Sequence, residues 1–341
     1  MKLRTRALAV AAGALLATTL AQPAQAAIGH WEADPLALPP GYSDATGWVR
    51  GTDSHGGYAG NLWLDGTSHV VTWSKGQPTL HPAPGDYPSG EVVDENSDGT
   101  VLGQAIDMFG TRTQPFLLDH GEYEMLLAPG DWASLRAVAL NERGDVVADA
   151  QPNNGGARAV LLWRAEDRAH PVLITGLPFM YAADLDDDGA LLVNSFPNSF
   201  IWRDGVFEQL TAPPGAAYLN AAGIRNGQVT GSYGASDWLS GEGVWWRSPG
   251  QPGVLPSSST TFGINRYGLI VGYGTRPDPT GPLGPLSVWL NGRAMGSLPL
   301  AGFTAGYAKT VGDDGTIAGV VSDRDPSTYG GRPVVWRYSL R

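Results

Sequence analysis

The feature that most constrains this chain is a two-part motif that recurs seven times. Each copy opens on a tight turn closed by glycine, followed by a short apolar run. The copies are HGGYAG (55–60), DGTVLG (98–103), RGDVVA (143–148), DGALLV (188–193), NGQVTG (226–231), YGLIVG (267–272) and DGTIAG (314–319). Their anchor glycines, Gly56, Gly99, Gly144, Gly189, Gly227, Gly268 and Gly315, stand 43, 45, 45, 38, 41 and 47 residues apart. Some 13–21 residues after each anchor comes a β-branched or aliphatic run that ends in Trp73, Trp163, Trp202, Trp246, Trp289 or Trp336. Leu118 takes the tryptophan's place in the second copy. A polar turn and a weak strand then follow, as in KGQPTL (75–80), HGEYEML (120–126) and DGVFEQL (204–210).

Each copy therefore holds four short antiparallel strands. A period near 45 residues with four strands per unit predicts an all-β fold, a seven-bladed β-propeller. One such unit cannot bury both of its faces, so neighbours must stack into a ring. The last copy ends at Leu340-Arg341 with little left for a fourth strand. Leu36–Tyr42 resembles the segments that leave other copies, such as Leu298–Phe303, and is expected to complete the seventh blade. Closure by both ends removes free sheet edges. It also suits a chain without cysteine, which can form no disulfide framework, Cys-ligated metal site or thiol nucleophile.

Residues 1–26 stand outside the repeat. Lys2, Arg4 and Arg6 precede the apolar run 7–20, and Ala24-Gln25-Ala26 forms a small-x-small cleavage site. This pattern predicts a secretory signal peptide cut after Ala26, so that 27–341 is the propeller domain and the protein is secreted. Export without disulfides points to a bacterial route. No later segment is apolar and long enough to insert in a membrane. The net charge of −11 argues against a nucleic-acid partner, which needs a basic face. A monomer is expected.

The repeat resembles that of the HAF-type extracellular repeat proteins, secreted and mostly bacterial. The resemblance rests on Gly263-Ile264-Asn265-Arg266-Tyr267-Gly268-Leu269-Ile270-Val271-Gly272, on His69-Val70-Val71-Thr72-Trp73, and on Ala139-Leu140-Asn141-Glu142-Arg143-Gly144-Asp145-Val146-Val147. It extends over residues 31–341 and implies fold and location. It implies no catalytic residue.

Function is expected where the repeat breaks. The connections from second to third strand and from blade to blade share one face, vary in sequence, and sit on a rigid scaffold. They carry Trp63, Tyr87, Asp131, Trp132, Tyr181, Tyr218, Asp237, Trp238, Arg276, Asp323, Asp325 and Tyr329 as candidate ligand-binding residues. Aromatic rings beside carboxylates suit a sugar, and rigid aromatics also suit peptides. The leading expectation is a non-catalytic module that binds an extracellular carbohydrate, peptide or protein through this face. The alternatives are a propeller enzyme on the same face, or a cell-envelope structural protein. A glycoside hydrolase would need two carboxylates roughly 5–10 Å apart. A polysaccharide lyase would need a base such as Tyr218 or Tyr329 beside a cation such as Arg276.

Two turns fit the start of a calcium loop, with Asp94, Asn96 and Asp98 in one and Asp184, Asp186 and Asp188 in the other. An EF-hand would require glutamate where Ala105 and Ser195 stand, so only a looser calcium turn remains open. Aspartate before glycine also simply favours tight turns. The six histidines form no metal-binding pattern, and no other cofactor motif occurs.

Overall fold

The computed structural model describes residues 29–235, 241–276 and 284–340. The expected signal segment lies outside them. Seven four-stranded antiparallel sheets form a closed ring, a seven-bladed β-propeller. The innermost strands of blades one to seven are Thr46–Thr52, Ser89–Glu95, Trp132–Leu140, Tyr181–Leu185, Tyr218–Arg225, Ser258–Ile264 and Ala305–Val311. The one helix among the described residues is the single turn Pro326–Tyr329.

The repeat motifs map onto this geometry directly. All seven anchor glycines have φ between 73° and 95°, a region that favours glycine, and turn the first strand into the second. All six anchor tryptophans are buried, the most exposed being Trp202 at 6%. Each sits in the gap between its own blade and the one before; Trp163, for example, packs on Leu102, Leu117 and Leu126 of blade two. Five indoles also donate to a carbonyl of the segment that leaves the previous blade. The pairs are Trp73 to Ala37, Trp163 to Leu127, Trp246 to Thr211, Trp289 to Pro256 and Trp336 to Pro299, at 2.7–2.9 Å.

The glycine that ends most motifs has a different cause. Every inner strand carries a one-residue register shift, the mark of a β-bulge. Gly60, Gly231, Gly272 and Gly319 face the bulged stretch, and a Cβ there would collide with the carbonyl oxygen of Trp48, Asn220, Thr260 or Tyr307. The residues at the shift that recurs in all seven blades are Arg50, Val93, Val138, Ala183, Ala222, Phe262 and Lys309.

Buried polar side chains staple blade to blade. Asn61 donates to the Gly90 carbonyl and accepts from the Val92 amide. Asn194 repeats this with both backbone groups of Ala221, and Asp149 accepts from the Ala182 amide.

The ring closes as expected through an N-terminal strand, but an earlier one. His30–Pro35 pairs with Arg332–Ser339 as the fourth strand of blade seven. Leu36–Tyr42 follows it as the exit segment, with the Leu36 amide donating to the Pro333 carbonyl and Leu36 buried. Its likeness to Leu298–Phe303 is that of two exits: Leu298 bonds back to Leu286 in the same way. The strand itself has a mixed sequence, HWEADP, with only Trp31 buried, so no apolar run marks it.

Candidate functional site

The bulges set the channel. All seven bulge residues line a cavity of about 400 Å³ around the ring axis, on the side where inner strands begin. That is the face of the blade-to-blade connections. The next residues outward along five of the inner strands, Glu91, Arg136, Tyr181, Asn220 and Tyr307, complete its wall, with Gln104 and Asn194 behind them.

Three of these side chains are cations. Arg50 lies with its guanidinium 5.8 Å from the centre of the Trp48 ring. Arg136 pairs with Asp149, whose other oxygen holds the Ala182 amide. Lys309 is half-buried in the channel. Burial lowers its pKa, with Arg50 and Arg136 adding to the fall and Asp184 and Asp94 opposing it. Glu91 is the one carboxylate among the described residues that line the cavity, and Asp149 is paired with Arg136. Tyr181 donates to Asn220 at 2.9 Å, and Phe262 packs at 5.1 Å against Tyr307. The mouth is thus a polar cup with excess positive charge in an acidic protein.

Toward the opposite face the channel narrows to about 70 Å³. Arg225 bonds Asp184 at 3.2 Å and also donates to the Leu185 and Ile224 carbonyls. Burial works against its charge, but Asp184 and Asp94 outweigh it and keep Arg225 ionised. Asp94 is pushed up to about 6 by burial, with Arg225 acting in the other direction.

The structure scatters the residues expected to bind ligand. Tyr181 alone of them lines the channel mouth. Tyr218 is buried at 7% exposure. Tyr87 and Trp132 share a crevice of about 130 Å³ between blades two and three. There Tyr87 packs against a core cluster, and the Trp132 indole donates to Pro129. Asp131 is engaged by Asn153. Asp323 and Asp325 line a groove of about 590 Å³ between blades six and seven. Asp323 accepts from the Thr304 amide, and Asp325 caps the helical turn that ends at the exposed Tyr329. Arg276 is half-buried, and Asp237 and Trp238 lie outside the described residues.

Trp63 is 55% exposed and stands in a strand, not a loop. In this blade the second and third strands, Tyr58–Leu64 and Thr67–Ser74, form a hairpin with only two residues between, not a long connection. The channel cations were missed because each sits at a bulge or beside one, where strand alternation breaks.

The calcium candidates serve the ring. Asp186 accepts from the Asn226 and Gly227 amides of the next blade, and Asp184 accepts from Ile224. Asp94 accepts from Leu140, Asn96 from Thr100, and Asp188 from Ala190 and Arg203. Asp98 lines a cleft between blades one and two. Among the described residues, no group of three His, Cys, Asp or Glu is placed to hold a metal ion. Among them, too, no helix is long and apolar enough to cross a membrane.

No protein-family model matches the chain. A comparison with curated proteins finds no match. Solved structures are similar in fold. An oligogalacturonate lyase in complex with manganese aligns over 93% of this chain and 95% of its own, with a TM-score of 0.62 and 11% identity. An acylaminoacyl peptidase of Pyrococcus horikoshii aligns over 80% of this chain with a TM-score of 0.53 and 10% identity. TolB from Acinetobacter baumannii aligns over 75% with a TM-score of 0.47 and 15% identity. The chain spans 64% of TolB and about half of the peptidase. For the lyase and the peptidase, at 11% and 10% identity, the likeness is one of fold.

Proposed function

We propose that this chain is a secreted, non-catalytic binding module that holds an anionic extracellular ligand at the channel mouth. A carboxylated carbohydrate is the ligand class that fits best. The observation that carries this reading is the convergence of Arg50, Arg136 and Lys309, from three blades, on one cavity of about 400 Å³. Arginine offers a planar fork to a carboxylate and lysine a point charge. Tyr181, Asn194, Asn220 and Gln104 add the amide and hydroxyl groups that sugar hydroxyls need. Export rests on the N-terminal segment 1–26 and on the resemblance to HAF-type repeat proteins.

The second reading is catalysis at the same mouth. It is favoured by Lys309, whose lowered pKa would suit proton transfer. Oligogalacturonate is a suitable first probe for both, because it is a chain of carboxylated sugars and appears in the name of the similar lyase. Calorimetric titration with oligogalacturonate tests binding, and chromatography of the same mixture tests turnover. Saturable binding without new products supports the module. Product formation would replace it with the enzyme, and absence of binding would remove the carboxylated sugar.

A further inference from the structure

Two departures from the seven-fold pattern meet in one place. Leu118 stands where six blades carry tryptophan. Glu95 stands on its inner strand where blades three to seven carry Leu140, Leu185, Ile224, Ile264 and Val311. Both residues line a cleft of about 530 Å³ between blades one and two, on the side of the glycine turns. Val101 and Leu118 give it an apolar floor, and Asp53 and Asp98 join Glu95 on its walls.

Glu95 is 9% exposed, and its Oε2 has no hydrogen-bond partner. A buried carboxyl oxygen left unmatched is costly; Glu95 borders both this cleft and the narrow channel, and a group seated in the cleft meets the carboxyl once the side chain turns toward it. Burial, then Asp53 and Asp94, raise the Glu95 pKa well above the carboxylate range, and a cation bound beside it would favour the ionised form that these neighbours disfavour. Among the described residues, no lysine or arginine lines the cleft. His81 bonds the Thr72 hydroxyl at 2.9 Å and burial lowers its pKa, while His120 is exposed at the rim.

We infer that this cleft is a second binding site, for a primary alkylammonium group whose apolar stem lies on Val101 and Leu118 and whose nitrogen meets Glu95. The stem covers the leucine floor, and the ammonium supplies the donor that Oε2 lacks. An amine-bearing small molecule and a lysine side chain of another protein share this chemistry.

The full chain is titrated with n-pentylammonium chloride, n-pentanol and N-acetyl-lysine methylamide, by calorimetry and by amide NMR shifts of Val101 and Leu118. Saturable ammonium binding that exceeds pentanol binding by about tenfold is expected, since loss of a buried charge partner costs at least that. Glu95→Gln keeps the shape and is expected to weaken binding about tenfold. Thr79→Lys, at an exposed position on the cleft wall, tethers a competing ammonium and is expected to weaken it too. Tighter binding of pentylammonium assigns a free amine, and tighter binding of the capped lysine assigns a protein side chain. Equal binding of pentanol, unchanged affinity in Glu95→Gln, or no saturable binding would each overturn the site.

Discussion

The Tyr123 hydroxyl donates a 2.7 Å hydrogen bond to the carbonyl oxygen of Pro82. Tyr123 pairs directly with Leu118, the one anchor position without tryptophan. Pro82 lies in the segment that leaves blade one, the equivalent of the carbonyls that Trp73 and Trp163 reach from their own blades. The phenol of the fourth strand thus does in blade two what the indole of the third strand does elsewhere. Its ring also stacks edge-on against Phe116 at 5.0 Å, and burial pushes its pKa up to about 12.

Tyr123→Phe keeps that ring contact and removes only the bond to Pro82. A loss of about 1 kcal/mol is expected, the usual net value of one hydrogen bond. Urea unfolding of wild type and variant measures it. An unchanged midpoint would mean that the Pro82 carbonyl is equally well served by water.

Trp163→Ala removes a fully buried ring and its bond to the Leu127 carbonyl. A loss of about 3–5 kcal/mol is expected from the lost burial together with the cavity it leaves. Trp132→Ala is expected to cost far less, because its half-buried indole bonds only to Pro129, three residues away. Comparable losses in the two variants would contradict the assignment of Trp163 to the gap between blades two and three.

These contrasts also mark how much of the fold was legible in the sequence. Trp73, Trp163 and their equivalents recur because every gap between blades needs the same large ring, so their spacing announces the propeller. The glycines recur because hairpins need positive φ and bulges need a bare Cα opposite them. The closing strand was placed late because HWEADP is nearly polar, while the apolar exit Leu36–Tyr42 beside it carries the visible signal. The channel mouth left no local signature. Arg50, Arg136 and Lys309 lie far apart in the chain, and only the ring brings them together. Glu95 was legible as an exception to a row of aliphatic residues, but only once the inner strands were aligned by their bulges.

Asp94 gives the protein a definite pH dependence. Burial raises its folded pKa to about 6 from an ordinary value of 3.8. The folded state therefore binds the extra proton between these values, and the group's contribution to stability falls as pH rises from about 4 to 6. Above that range the contribution stays low. His81 acts in the opposite sense, since its lowered pKa costs stability below its ordinary value of 6.5. The comparison of wild type with Asp94→Asn cancels His81. The variant is expected to gain most relative to wild type near pH 7.5 and least near pH 4.5. A gain that did not change with pH, read from denaturation midpoints, would contradict a raised Asp94 pKa.

Salt separates charge recognition at the channel mouth from hydrophobic uptake. A ligand held by Arg50, Arg136 and Lys309 should bind more weakly as ionic strength rises, because the mouth is open to solvent and screened. Fluorescence titrations with oligogalacturonate at low and high sodium chloride read this directly. Affinity independent of salt would place the ligand elsewhere, such as the apolar-floored groove by Tyr273, Leu286 and Leu300.

The most direct test of the account is the affinity of Lys309→Met for oligogalacturonate, measured by calorimetry beside wild type. Methionine keeps an unbranched stem only one atom shorter and removes the charge. The account predicts saturable binding by wild type, weakened about tenfold or more in the variant, the usual cost of losing one partner of a charge-assisted contact. An unchanged unfolding midpoint within about 1 kcal/mol is also expected, since Lys309 is half-buried and burial works against its charge. Equal affinity of wild type and Lys309→Met would contradict the claim that the channel mouth is the binding site.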